Sequence, residues 1–221
     1  VLEVAEIKMP GTPVAGAKVT LDLTRPEPTA QARVEHVELP QPIGPLRNLQ
    51  IDCTSVYVRE PKIACRTGKA SADGGPTKTL ALNISGEYDT NTKSVTAQGT
   101  DLPVAGGLVQ VSGQYDPKGW AMESRATGVD IPQLRALVSP WFKAPETLDF
   151  TGHVEVAGQA SDRGAGLQMM ADVTTTDFNL TNQEGTVVAE NLTAAINTIV
   201  TKTPAGLEVQ DVVHHRLQEG A

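Results

Sequence analysis

Long hydrophobic runs are missing from this chain. No stretch approaches the roughly 18 consecutive apolar residues that a membrane-crossing helix needs, so no such helix is expected within residues 1–221. Clustered positive charge is missing too. Its 18 Lys and Arg are scattered among 26 Asp and Glu, for a net charge of -8 and a pI near 5.0. Phosphate backbones are bound by grouped cations, so nucleic acid is excluded as a partner, and the acidic balance reads as solubility. Aromatic residues make up only 4%, too few large rings to fill a thick core. The small and aliphatic side chains that remain suit a thin or open β structure.

Recognisable catalytic patterns are absent as well: no nucleophile elbow, no phosphate-cradling glycine loop, no zinc-binding histidine pair at helical spacing. His36 and His153 fall on the polar side of strand patterns, and His214 and His215 are adjacent, so in a strand they point to opposite faces. All four read as solvated. The expectation is a protein that is not an enzyme, with no catalytic residue, no metal site and no cofactor.

Cysteine is scarce, with Cys53 and Cys65 alone, flanking a hairpin pattern around Glu60-Pro61. Cysteines on adjacent strands can reach bridging distance, and a disulfide persists only in an oxidising compartment. The pair is expected to be bridged; the alternative is two buried thiols. No histidine lies near either at ligand spacing, which argues against metal.

What the chain does have is a phrase that returns. Ile84-Ser-Gly-Glu-Tyr-Asp89 recurs as Val111-Ser-Gly-Gln-Tyr-Asp116, with a looser echo in Phe150-Thr-Gly-His-Val-Glu155. Each copy sits in an apolar/polar alternation, the mark of a half-buried strand. One face collects Leu80, Leu82, Ile84 with Gly86 and Tyr88; Val109, Val111 with Gly113 and Tyr115; and Leu148, Phe150, Val154 and Val156 with Gly152. A slip of one residue would invert every side chain, so the register is a property of the repeat. Glycines on that face would let the sheet bend or leave room for a bound chain.

Asp89-Thr-Asn-Thr and Asp116-Pro-Lys-Gly carry turn chemistry, and alternation resumes at Val95 to Gly99 and Trp120 to Ala126. Further strands are predicted at 18–24, 32–39, 49–60, 62–69, 167–176 and 185–190. The segment 192–200 fits a helix or a strand, and its β-branched content favours strand. One short helix is predicted at about 130–139, with Asp130 as N-cap, an early Pro132 and a stop at Pro140. It would cover the end of a sheet or sit at the mouth of a groove. Residues 1–45 form an N-terminal hairpin and proline-rich loop; 46–221 form the repeated hairpins. Tyr88 and Tyr115 are packing rings or ligand-lining ones. Asn83, Asn179 and Asn191 stand in sequons that matter only in a eukaryotic secretory pathway.

The hairpin repeat, the segment Gly119-Trp-Ala-Met-Glu-Ser-Arg-Ala-Thr-Gly-Val-Asp-Ile-Pro-Gln-Leu-Arg-Ala-Leu137, then 148–156 and 178–192, together resemble the AsmA-like superfamily, which includes the TamB and YdbH types of Gram-negative bacteria. The likeness covers about residues 80 to 200. It implies a periplasmic protein anchored in the inner membrane by a helix outside this chain. It also implies a long sheet folded into a taco-like groove whose apolar face carries phospholipid acyl chains towards the outer membrane. Starting at Val1 without a signal-type segment, the chain reads as a fragment or mature domain.

The expected fold is therefore mainly β: an antiparallel meander of repeated hairpins forming a curved groove, with one short helix, the alternative being a closed β-sandwich. The residues expected to line lipid are Leu80, Leu82, Ile84, Val109, Val111, Leu148, Phe150, Val154 and Val156. A sandwich core would use the same set, and would then serve as a structural or interaction module in outer-membrane assembly or secretion.

Overall fold

The computed structural model describes residues 2–4, 14–24, 26–38, 44–74, 79–139, 147–162, 166–182, 184–203 and 206–214. The chain divides into two compact units, Val1–Leu102 with Gln114–Pro117, and Pro103–Gly113 with Lys118–Ala221. The boundary suggested by the proline-rich loop falls inside the first unit, where strands on either side of it pair from Ala30↔Cys53 to Glu38↔Pro45.

The first unit holds β1 (Leu2–Val4), β2 (Val14–Ala15), β3 (Lys18–Asp22), β4 (Thr29–Glu38), β5 (Pro45–Arg59), β6 (Lys62–Gly74), β7 (Thr79–Asp89) and most of β8 (Ser94–Val104). Its strands pair antiparallel in chain order, except that β1 pairs β3 directly and β2 lies on β4. The second holds most of β9 (Gly107–Asp116), then β10 (Gly119–Asp130), α1 (Ile131–Val138), β11 (Leu148–Asp162), β12 (Leu167–Asn182), β13 (Val187–Thr203) and β14 (Gly206–His214). These too follow chain order as an antiparallel meander. In neither unit do the end strands pair with each other, so the meander is not closed into a barrel. The ambiguous segment 192–200 is strand, inside β13.

The alternation that predicted the strands is what the burial follows. Along the first half of β11, Leu148, Phe150, Val154 and Val156 are half-buried or buried while Asp149, Thr151, His153 and Glu155 are exposed. On β7, Leu80, Leu82 and Ile84 are half-buried against exposed Ala81 and Asn83. On β9, Val109 and Val111 are half-buried and Gln110 is exposed.

What these faces pack against decides the fold. Within the second unit, α1 packs on β10 and β11. No described side chain is less than 2% exposed. A β-sandwich places a second sheet about 10 Å away and buries one face of each. In each unit the meander is open and part of its apolar face is exposed, as at Val58 and Met169. The strands are also long, 15 residues in β5 and β11, 16 in β12 and 17 in β13, against a usual five or six. Their apolar faces are correspondingly large.

Helix α1 forms as its sequence dictates. Asp130 Oδ1 accepts a hydrogen bond from the Gln133 amide at 3.0 Å, satisfying one orphan N–H of the first turn, and Pro132 sits where no intrahelical donor is needed.

Candidate functional site

In the first unit, register carries the alternation of single strands into rows across the sheet. Ile51, Ala70 and Leu82 form one row, and Cys53, Gly68, Ile84 and Gly99 the next. Beyond them come Val56, Cys65, Gly86 and Ala97, and last Val58, Ile63, Tyr88 and Val95. The face is closed in its middle by small groups, with Cys53 and Ala72 each 4% exposed. It opens towards the hairpin turns, where Val58, Ile63, Tyr88 and Val95 are 39–48% exposed. Four large apolar side chains side by side on four strands make a contiguous exposed patch, and such patches on a soluble surface mark binding sites.

Sequence reasoning put all four of that last row on strands but only Tyr88 on the apolar face, and at Val58 and Ile63 the reason is that period-two counting loses phase at a bulge. The β5–β6 register shifts between Cys53 and Ser55 and again between Ser55 and Val56, and β6–β7 shifts between Cys65 and Gly68. Odd-numbered Cys53 and even-numbered Val56 thereby come to the same face. Tyr88 and Tyr115, expected to pack or to line a ligand, are 40% and 54% exposed, so neither is a core ring.

Cys53 and Cys65 form a disulfide between β5 and β6, with Cα atoms 5.8 Å apart. The bridge runs diagonally across the bulge, since Cys53 pairs Gly68 and Cys65 pairs Val56. Gly68 makes room for it: a Cβ there would stand 3.0 Å from Cys65 Sγ and 2.8 Å from the Asp52 carbonyl oxygen. A bridged pair fits an oxidising, non-cytoplasmic compartment. Among the described residues no helix is long and apolar enough to cross a membrane.

The turns that edge the patch are tied by polar contacts. Thr90 donates its amide and its hydroxyl to the Pro61 carbonyl at 2.8 and 2.9 Å, joining the β5–β6 turn to the β7–β8 turn. Asp89 Oδ1 accepts the amides of Asn91 and Thr92. These bonds, the Thr92 amide first, hold its carboxyl below the usual aspartate value. Lys62 donates to Glu87 Oε1 at 2.6 Å, which raises the ammonium's pKa above that of a free lysine.

The second unit carries its own apolar face. Ala126, Val156, Val173 and Ile196 form one row across β10 to β13, and Met122, Ala160, Met169 and Val200 another. Here too large side chains remain open, with Met122, Met169 and Ile196 at 43–46% exposure. The opposite end is shut. Val129 and Val154 pair and are 3% and 5% exposed, and the Phe150 and Phe178 rings lie 6.2 Å apart. From α1, Arg135 donates to the Leu148 carbonyl at 2.9 Å and sets its guanidinium 5.5 Å from the Phe150 ring centroid.

The nine residues expected to line lipid thus fall on two faces. Leu80, Leu82 and Ile84 belong to the first unit; Val109, Val111, Leu148, Phe150, Val154 and Val156 belong to the second. Arg135 of the helix stands over Phe150 and Val154 is buried, whereas Val156 leads onto the open part. The three glycines of the repeat do unlike things. Gly152 has φ +115° at a register shift, where a Cβ would meet the Asp177 carbonyl oxygen at 2.6 Å. Gly86 faces the Thr96 carbonyl oxygen at 2.9 Å, and Gly113 has only the Ala121 carbonyl oxygen at 3.6 Å. Among the described residues no group of His, Cys, Asp and Glu is placed to hold a metal ion. Compared with protein-family models, with curated proteins and with solved structures, the chain matches none.

Proposed function

We propose that this chain is a lipid-binding segment of a periplasmic, AsmA-like protein, anchored in the inner membrane by a part outside these residues, and that it serves phospholipid transport between inner and outer membranes. The observation that carries this reading is the open part of each apolar face, where Val58, Ile63, Tyr88 and Val95 in the first unit and Met122, Met169 and Ile196 in the second are 39–48% exposed. An antiparallel sheet with one apolar face buries it against something, and these side chains are left open to a partner. Acyl chains are the matching partner: each methylene removed from water contributes about 0.8 kcal/mol without requiring any polar group. The disulfide agrees with the oxidising periplasm.

The test is lipid content. Protein purified from Gram-negative membranes with gentle detergent should carry phospholipid by native mass spectrometry. Ile84→Asp and Val111→Asp should remove it while circular dichroism stays that of a β protein, because a half-buried position on an uncovered face tolerates charge better than a closed core does. Absence of phospholipid from the native chain overturns the reading and leaves an interaction module; global unfolding of both variants overturns it in favour of a closed core.

A further inference from the structure

A hollow of ≈ 550 Å³ lies at the bulges of β5 and β6 in the first unit, lined mostly by side chains of the polar face together with Gly68 and Ile84. We propose that it is a binding site for a small polyhydroxylated ligand, a saccharide of one or two rings. Its lining has Asp52, Arg66, Lys69, Asn83, Gln98 and Thr100, brought together from four adjacent strands. Register explains the gathering: Asp52 pairs Lys69, Lys69 pairs Asn83, and Asn83 pairs Thr100, a straight polar row behind the Cys53–Gly68–Ile84–Gly99 row. The hollow exists because the same bulges that carry the disulfide interrupt the ladder there, and bulges recur next to functional sites for that reason.

Its chemistry selects the ligand class. Arg66 and Lys69 donate, and neither is in an ion pair among the described residues; Arg66 rests over the Tyr57 ring, 4.5 Å from its centroid. Asp52 only accepts. Its Oδ2 takes Gln50 Nε2 at 2.5 Å, while its Oδ1 is shut off from solvent without a hydrogen-bond partner. A buried carboxylate oxygen lacking a donor is costly, and a ligand hydroxyl reaching it on a turn of the carboxyl relieves that cost. Carboxamides and hydroxyls such as Gln98 and Thr100 serve either way. A sugar ring, each hydroxyl of which both donates and accepts, matches this mixture. An oxyanion does not. It brings acceptors alone and would face the Asp52 carboxylate. The volume falls within the ordinary range of small-ligand sites.

The test is an amide-resolved NMR titration of the whole chain with D-glucose and, separately, with inorganic phosphate. Glucose should give saturable shifts clustered at residues 52, 66–69, 83–85 and 98–100, and phosphate should give none there. Gln98→Ala, on an exposed side chain, should weaken glucose binding about tenfold, the loss of one hydrogen bond to the ligand, with the rest of the spectrum unchanged. Asp52→Asn, which keeps the shape and removes the pure acceptor, should weaken it at least as much. Clustered shifts with phosphate in place of glucose, no saturable cluster with glucose, or glucose binding undiminished in both variants overturns the proposal. Because Ile84 also lines the hollow, the lipid reading is separated from this one by Val111→Asp, which lies in the second unit: loss of lipid there and loss of glucose shifts in Gln98→Ala stand without each other.

Discussion

The two units solve one problem in different ways. Each is an open meander of long antiparallel strands whose apolar face stays partly exposed. In the first, the face is held in its middle by small residues and by a covalent staple, Cys53–Cys65. In the second, one end of the face is shut by a helix that puts Arg135 over Phe150 and leaves Val129 and Val154 buried. A face that stays partly exposed draws less from burial. The comparison shows a crosslink and a helix filling the same need, and both leave large apolar side chains open at the other end of the face.

Breaking the staple should separate the units most sharply. Cys53→Ala with Cys65→Ala should cost the first unit about 3 kcal/mol, the usual effect of opening a loop of this length. Hydrogen exchange should speed up in β5 to β7 and stay unchanged in β11 to β13. Equal loss in both units would mean that they unfold as one, and no loss would mean that the row packing suffices.

The repeated glycine gives a finer comparison. Gly152→Ala in the second unit should cost about 2 kcal/mol or more, since it combines a left-handed φ with a backbone clash. Gly113→Ala should be close to neutral. Denaturant midpoints of the two variants measure this directly; similar values would mean that the glycines share one role after all.

The smallest effect concerns the turn of the first unit. The Asp89 carboxyl has a folded pKa below its unfolded one. Its contribution is therefore present above the ordinary aspartate value, near 4, and is lost as pH falls from there through the depressed folded value. Asp89→Ala should flatten the acid limb of the stability curve slightly, seen in melting temperature between pH 5 and pH 2, and should leave the neutral range shifted but flat. An unchanged acid limb would assign the turn's order to Thr90 and Pro61 instead.

Much of this was legible in the sequence. The half-buried strands around Leu80 to Ile84, Val109 to Val111 and Leu148 to Val156 lie where alternation put them. The cysteines pair as their hairpin implied, and Asp130 caps the one described helix. Where reading stopped, the reason was long-range pairing. Val58 and Ile63 reach the apolar face only through bulges whose register is set by the partner strands. The polar hollow needs four strands in register, and no local pattern announces it. The shared glycine phrase hid three unlike environments because a glycine's role depends on what approaches it from the next strand.

The sequence by itself determined which side chains share a face along each unbroken strand, because the β backbone alternates with a period of two whatever surrounds it. It also determined where the chain turns and where the helix starts, since turn and cap chemistry act over a few residues. Only the tertiary structure decided that those faces stay partly exposed, that bulges bring Val58, Ile63, Tyr88 and Val95 into one exposed row, and that α1 sets Arg135 over Phe150. Each of these depends on contacts between residues far apart in the chain, which no local pattern encodes.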